Sequence, residues 1–195
     1  MRIQNTFTVP LPVDEAWNML IDIERIAPCV PGATLLEAID QSNYKGQISV
    51  RLGPVTIIFD GEAKFENLDY KLHKACVIAR GADTRGRGGA EANVTFRLEP
   101  DSSANSTSVF IDTDLKLSGS IAQYGRGSGM ISDLANIIIK DFSECLDASL
   151  STTRKSEASL SIEHKNQSKP IYGTRYIIKL CFQSITRIAR KIFNR

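Results

Sequence analysis

Between Ala33 and Ser118, apolar residues recur at every second position. That period predicts β-strands with one packed face and one wet face. The clearest run sets Val55, Ile57, Phe59, Gly61, Ala63 and Phe65 against Thr56, Asp60, Glu62, Lys64 and Glu66, broken only by Ile58. Ala90, Ala92, Val94, Phe96 and Leu98 repeat it against Glu91, Asn93, Thr95, Arg97 and Glu99. Val109, Ile111, Leu115 and Leu117 do so against Asp112, Asp114 and Lys116. Strands near 43–52 and 71–80 fit between these, and residues 2–9 form a first strand ahead of Pro10 and Pro12. Gly53-Pro54, Leu68-Asp69 and the stretch Gly81 to Gly89 supply connections, so the strands form an antiparallel meander.

Helical periods flank the strands. Val13 to Leu20 predicts a short helix, with Asp14 and Glu15 in the first turn, where the helix dipole favours negative charge. A second short helix starts at Asp22, a candidate N-cap, and must end near Pro28. After Gly129, the residues Ile131, Leu134, Ala135, Ile138, Phe142, Cys145, Leu146 and Ser149 share one stripe. This helix is roughly 20 residues, or about 30 Å long. Its apolar stripe needs cover, and the inner sheet face is the large apolar surface available. The fold class is therefore α+β: a curved antiparallel sheet of about seven strands wrapped around a long C-terminal helix, with two short helices after the first strand.

Whether side chains fill the space between sheet and helix is left open by the pattern. Gly46, Gly61, Ala63, Ala90 and Ala92 on the inner face favour a hollow. The competing account is that small residues relieve crowding where the sheet bends. Candidate wall residues, inferred from facing, are Trp17, Leu20, Ile57, Phe59, Phe65, Val94, Phe96, Leu115, Ile131, Leu134 and Ile138. Trp17 reads equally as core and as ligand contact.

At 195 residues, 42% hydrophobic and 24% charged, the chain has a globular balance with room for one domain and an appendage. Its net charge of +2 hides an asymmetry. Residues 1–163 carry 16 Lys and Arg against 22 acids, a net −6, whereas residues 164–195 carry eight basic residues and no acid. Residues 1–149 form the ligand-binding domain in this reading. Residues 150–170, rich in Ser, Thr, Lys and Glu without an apolar period, read as a flexible linker. Residues 171–195 form a basic amphipathic helix. Its apolar sector, about 160° wide, includes Ile178, Phe182, Ile185, Ile192 and Phe193, while Arg175, Lys179, Arg187, Arg190 and Lys191 supply charge. An anionic membrane surface explains both the wide apolar face and the absence of acids. Docking on protein explains the face alone, and a nucleic-acid arm has no need of Ile and Phe.

Candidate chemistry is sparse. Cys29, Cys76, Cys145 and Cys181 lack CxxC spacing, which excludes a zinc ribbon. The N-terminal residues lack the apolar run of a signal peptide, so the expectation is a cytosolic chain with reduced thiols. No stretch approaches the roughly 18 apolar residues of a membrane span. His73 and His164 lack metal-ligand spacing and read as solvated, and no metal is expected. The Gly81–Gly89 stretch has no Lys-Ser or Lys-Thr after its glycines, so it reads as a mobile hairpin tip, where Arg85 and Arg87 either contact a partner or, the favoured reading, keep the loop soluble. Asp60/Glu62 and Asp112/Asp114 lie on wet strand faces, poor places for a buried acid–base pair.

Several segments resemble the CoxG family of carbon monoxide dehydrogenase accessory subunits. They are Val30-Pro-Gly-Ala33, Lys45-Gly-Gln-Ile-Ser-Val-Arg-Leu-Gly-Pro54, Phe59-Asp-Gly-Glu-Ala63, Gly86-Arg-Gly-Gly-Ala90, Leu117-Ser-Gly-Ser-Ile-Ala-Gln-Tyr-Gly-Arg126, Met130-Ile-Ser-Asp-Leu134 and Phe142-Ser-Glu-Cys-Leu146. The resemblance covers about residues 2–148. It implies a helix-grip fold, similar to START lipid-transfer domains and pollen allergens, with a long C-terminal helix over an apolar cavity. It also implies an accessory role beside a molybdenum-containing carbon monoxide dehydrogenase or related hydroxylase, linked to membrane attachment, and brings no catalytic residues. Tyr124-Gly125 stands where family members often have Phe-Gly.

The resulting expectation is a non-catalytic carrier without a resident cofactor. Its cargo is an apolar small molecule, a respiratory quinone or other lipid, and it docks on the cytoplasmic face of the inner membrane. The alternative is a recruitment adaptor or maturation factor without a ligand. No nucleic-acid partner is expected.

Overall fold

Alternating apolar residues oblige each strand to bury one face, and the hairpin turns between them let every neighbour pair antiparallel. A computed structural model describes residues 1–102, 105–125 and 128–165. The strands are β1 (Arg2–Val9), β2 (Ala33–Ala38), β3 (Asn43–Leu52), β4 (Val55–Asp69), β5 (Lys74–Asp83), β6 (Gly89–Pro100) and β7 (Thr107–Leu117). They form one seven-stranded antiparallel sheet in the order β1-β7-β6-β5-β4-β3-β2. The first strand therefore pairs with the last, and the chain crosses from one sheet edge to the other through α1 (Val13–Leu20) and α2 (Ile23–Ile26). Asp22 caps α2 by accepting from the Arg25 backbone N–H at 3.2 Å, and Pro28 falls in the single 3-10 turn Ala27–Cys29 that follows. A short helix α3 (Ala122–Gly125) precedes the long α4 (Ser128–Lys165).

Helix α4 has 38 residues, and so runs through the stretch expected to be the beginning of a linker. The reason is negative: between Gly129 and Pro170 the chain contains no Gly or Pro to stop it. The chain divides into two compact units, Met1–Thr153 and Arg154–Arg195. The expected amphipathic helix over 171–195 lies outside the described residues.

On the inner face the register aligns residues into rows. Gly46 pairs with Gly61, Gly61 with Gly81, and Gly81 with Ala90. In the next row Tyr44 pairs with Ala63, Ala63 with Ala79, and Ala79 with Ala92. At Gly61 the bending account holds outright: a Cβ there would lie 2.1 Å from the Arg80 carbonyl oxygen, so backbone occupies the space a side chain needs.

The outer face carries a ladder of alternating charge. Lys45 pairs with Glu37 and Glu62, and Arg80 with Glu62 and Glu91, while Lys116 pairs with Glu91. Ion pairs form along it at 3.1 Å for Lys45–Glu37, 3.1 Å for Arg80–Glu91 and 3.4 Å for Lys116–Glu91. Opposite charges in register favour this strand alignment over a slip by one residue.

Three expectations need correction. Cys29 and Cys145 are joined as a disulfide, with Cα atoms 5.4 Å apart, whereas the sequence predicts reduced thiols at both. The fold brings the two into bonding range across 116 residues, a proximity that chain spacing cannot reveal. The Gly81–Gly89 hairpin is anchored rather than mobile. The Asp83 carboxylate, with no side-chain exposure, accepts from Arg87 Nε and Nη2 at 2.8 Å each, and Arg87 Nη2 also donates to the Thr56 carbonyl at 3.1 Å. These charge-assisted bonds hold the Asp83 carboxyl far below the usual carboxylate range. His73 is not solvated: its side chain is 19% exposed, Nε2 lies 3.0 Å from Asp14 Oδ1, and its ring stands edge-on to Trp17.

Candidate functional site

Buried apolar residues separate into two clusters at opposite ends of the inner face. One gathers Phe7, Trp17, Leu20, Phe65, Leu98 and Val109 with Phe142, Leu146 and Leu150 of α4. The other gathers Ile3, Leu52, Ile57, Phe59 and Ile121 with Ile131 of α4. Between them lies a layer that belongs to neither. Ala63, Ala79, Ala92, Val94 and Thr113 from four strands, and Ile138 from α4, all remain partly accessible. The two central rows therefore present hydrogen or methyl groups across β4 to β6, where a filled core would carry Leu or Phe.

The sequence-derived wall residues divide accordingly. Trp17, Leu20, Ile57, Phe59, Phe65 and Ile131 are buried in the two clusters and bound the layer from its ends. Val94 and Ile138 belong to the layer, whereas Phe96 packs against the first cluster and Leu115 and Leu134 against the second, all half-buried. Sequence reasoning missed Ala79 and Thr113. Both follow the alternation of their strands, but only the register shows that Ala79 stands opposite Ala63 and Ala92, and Thr113 opposite Val94.

A groove of about 470 Å³ runs between the edge strand β1 and α4, with Phe7 and Ile139 among its lining residues. Asn5 Nδ2 donates to Asn136 Oδ1 at 2.7 Å across it, tying strand to helix. A second concavity, about 750 Å³, lies over the glycine row and is rimmed by the charged ladder. There Glu91 is held below the ordinary carboxylate range by hydrogen bonds from Arg80 and then Lys116. Tyr44, beside the alanine row, is raised above the usual phenol value, chiefly by burial.

The acidic pairs of the strands point away from the interior. Asp112 accepts from Arg2 Nε and Gln4 Nε2, and Asp60 from Gln47 Nε2. Among the described residues, no group of three or more His, Cys, Asp or Glu could hold a metal ion. The central layer carries small apolar side chains that are only half-buried, and the two concavities lie at the β1–α4 edge and over the charged ladder.

The family model for CoxG, a carbon monoxide dehydrogenase subunit, matches residues 6–151. The chain belongs to the CoxG family. Solved structures place the fold among helix-grip proteins. A conserved protein from Geobacillus kaustophilus superposes with a TM-score of 0.67 at 19% identity, covering 78% of this chain and 97% of that one. The Zhui aromatase/cyclase of Streptomyces sp. R1128 gives 0.53 at 14% identity, covering 76% and 92%. Norcoclaurine synthase from Thalictrum flavum gives 0.50 at 15% identity, covering 75% and 86%. No curated protein matches the chain by sequence.

Two of the CoxG motifs in this chain pack against each other. Gly86-Arg-Gly-Gly-Ala90 and the segment from Leu117 to Ile121 meet face to face. A Cβ on Gly88 would lie 2.0 Å from the Ser118 carbonyl oxygen, and one on Gly119 would lie 2.4 Å from that of Arg87. The Ser120 backbone N–H and hydroxyl both donate to the Arg87 carbonyl, at 2.8 and 2.9 Å. These contacts join the β5–β6 connection to the segment after β7.

Proposed function

We propose that this CoxG protein is a non-catalytic carrier of an apolar guest that serves a molybdenum-containing carbon monoxide dehydrogenase-type enzyme. A respiratory quinone is the guest that fits the role. Such a dehydrogenase must pass electrons to a quinone buried in lipid, and a carrier with an oily interior brings the two together. One observation carries the reading: the layer between the two apolar clusters is walled by Ala63, Ala79, Ala92, Val94 and Ile138 and stays accessible. Affinity for a guest there comes mainly from apolar area removed from water.

Membrane docking falls to the basic segment 171–195 in this proposal. Each Lys or Arg near an anionic bilayer adds about 1 kcal/mol, and the apolar face adds a contribution that salt does not screen. Among the described residues no helix is long and apolar enough to cross a membrane. The full chain is expected to co-sediment with anionic vesicles, and a chain ended at Ser149 to stay in the supernatant. Equal pelleting removes the tail from the proposal.

Organic extraction of the purified full chain, followed by mass spectrometry, tests the cargo. A quinone in near-stoichiometric amount is expected, and Ala79→Phe with Ala92→Phe should expel it while leaving the circular dichroism spectrum intact. A wild-type chain that neither retains nor takes up any quinone favours the recruitment adaptor instead.

A further inference from the structure

Strand β1 lies at one edge of the sheet and pairs on one side only, with β7. In an antiparallel pair, alternate residues turn their main-chain groups to the partner, and the rest turn them away. Met1 fixes the phase. Its amino group donates to the Leu115 carbonyl at 2.6 Å, and its carbonyl accepts from the Leu115 N–H at 2.8 Å. Counting by two, Ile3, Asn5, Phe7 and Val9 bond to β7, whereas Gln4, Thr6 and Thr8 direct N–H and C=O away from the sheet. Thr6 and Thr8 are exposed. Among the described residues, no hydrogen bond from a helix, loop or side chain reaches their main-chain groups.

The two sheet edges differ. At the far edge, β2 has six residues, and its register breaks between Leu35 and Glu37, a bulge of the kind that discourages further pairing. Strand β1 keeps an unbroken register over eight residues. Beside its open edge runs the groove of about 470 Å³, with α4 as the far wall. There α4 supplies side chains only. Asn136 takes the Asn5 amide, and Ile139 joins Phe7 in lining the groove.

We propose that the β1 edge is a strand-addition site, where an extended segment of a partner protein pairs with Thr6 and Thr8 as an eighth strand. The edge offers N–H and C=O in the strand repeat, which an extended backbone complements along its length. A second copy fits less well, because its own α4 flanks its β1 and would be carried into the same groove. Alternation sets the sequence that suits the site. A residue opposite Phe7 faces the apolar part of the groove, one opposite Asn5 faces two amides, and those opposite Thr6 and Thr8 face solvent. The inference goes beyond carriage and stands whether or not the interior holds a guest.

The probe is the synthetic peptide acetyl-Lys-Thr-Leu-Thr-Ser-Thr-Leu-Thr-Lys-amide. It reads the same in both directions, so it serves parallel and antiparallel addition alike. It is added to the ¹⁵N-labelled full chain up to about 1 mM, enough to half-fill a site whose Kd is of that size. Without peptide, the Thr6 and Thr8 amides should exchange with water much faster than those of Asn5 and Phe7. With peptide, their exchange should slow in proportion to occupancy, about tenfold when nine sites in ten are filled. Thr6→Pro removes an edge donor and no bond to β7, so it should abolish the slowing and leave the circular dichroism spectrum intact. Where that variant fails to fold, N-methylated peptides decide. Methylating every Thr amide, or every Leu and Ser amide, should abolish binding in one of the two cases, because one set faces β1.

Slow exchange at Thr6 and Thr8 before peptide is added overturns the open edge. No slowing up to about 1 mM peptide, or binding that survives Thr6→Pro or both methylated forms, overturns the site. Slowing that needs no peptide and rises with protein concentration assigns the edge to a second copy and overturns the partner segment.

Discussion

The Cys29–Cys145 bond ties the 3-10 turn after α2 to the middle of α4, closing a loop across 116 residues of separation. Breaking it with Cys145→Ser returns that loop's freedom to the unfolded chain. For this separation the loop-closure relation gives about 5 kcal/mol at 25 °C. At roughly 2 cal/mol/K of unfolding entropy per residue, the Met1–Thr153 unit loses about 0.3 kcal/mol per degree near its midpoint. The expected fall in Tm is therefore about 15 °C, and native-state strain or residual unfolded structure would reduce it. Scanning calorimetry of the oxidised wild type, the reduced wild type and Cys145→Ser checks this. The reduced wild type and the variant should melt together, well below the oxidised form. Alkylation of both thiols in non-reducing denaturant, or midpoints within about 3 °C of one another, would refute the reasoning.

Three further outcomes follow from the sheet. The Asp83 carboxyl sits below its unfolded value of about 3.9, so its contribution is complete above that pH and is lost as pH falls through the lower folded value. The gap in urea midpoint between wild type and Asp83→Asn should thus be wide at pH 6 and narrower at pH 2.5, and a gap that grows in acid contradicts the pairing with Arg87. Gly61→Ala drives a Cβ into the Arg80 carbonyl and should cost about 1–3 kcal/mol by chemical denaturation, with a neutral result meaning that β4 and β5 do not approach as described. Arg80→Glu puts three acids in a row with Glu62 and Glu91, so its Tm should fall at low salt and largely recover at 1 M NaCl; a deficit independent of salt points to lost packing instead.

Much of the fold is written in local period. The alternation from Val55 to Phe65 marks β4 and its inward face, and the stripe from Ile131 to Leu146 marks α4. Pairing between distant segments is not local, and there the sequence is mute. Gly46, Gly61 and Gly81 each look like an isolated small residue, and only the register lines them into a row. Arg87 looks like a solubilising loop residue because its partner, four positions away, belongs to the packed face of β5. His73 looks solvated because Asp14 and Trp17 reach it from a helix 59 positions earlier in the chain. Helix α4 outruns its expected end because a polar stretch without Gly or Pro has no apolar period and yet nothing to stop a helix.

The junction of Gly88 with Gly119 carries a lesson for grafting and for divergence between family members. Two loops separated by an entire hairpin share one backbone-to-backbone seam, so neither can gain a side chain or be swapped from a homologue alone. They should travel as a unit in chimeras. Insertions meant to lengthen a hairpin belong at turns with room around them, such as the one at Gly53, where a Cβ would meet open space.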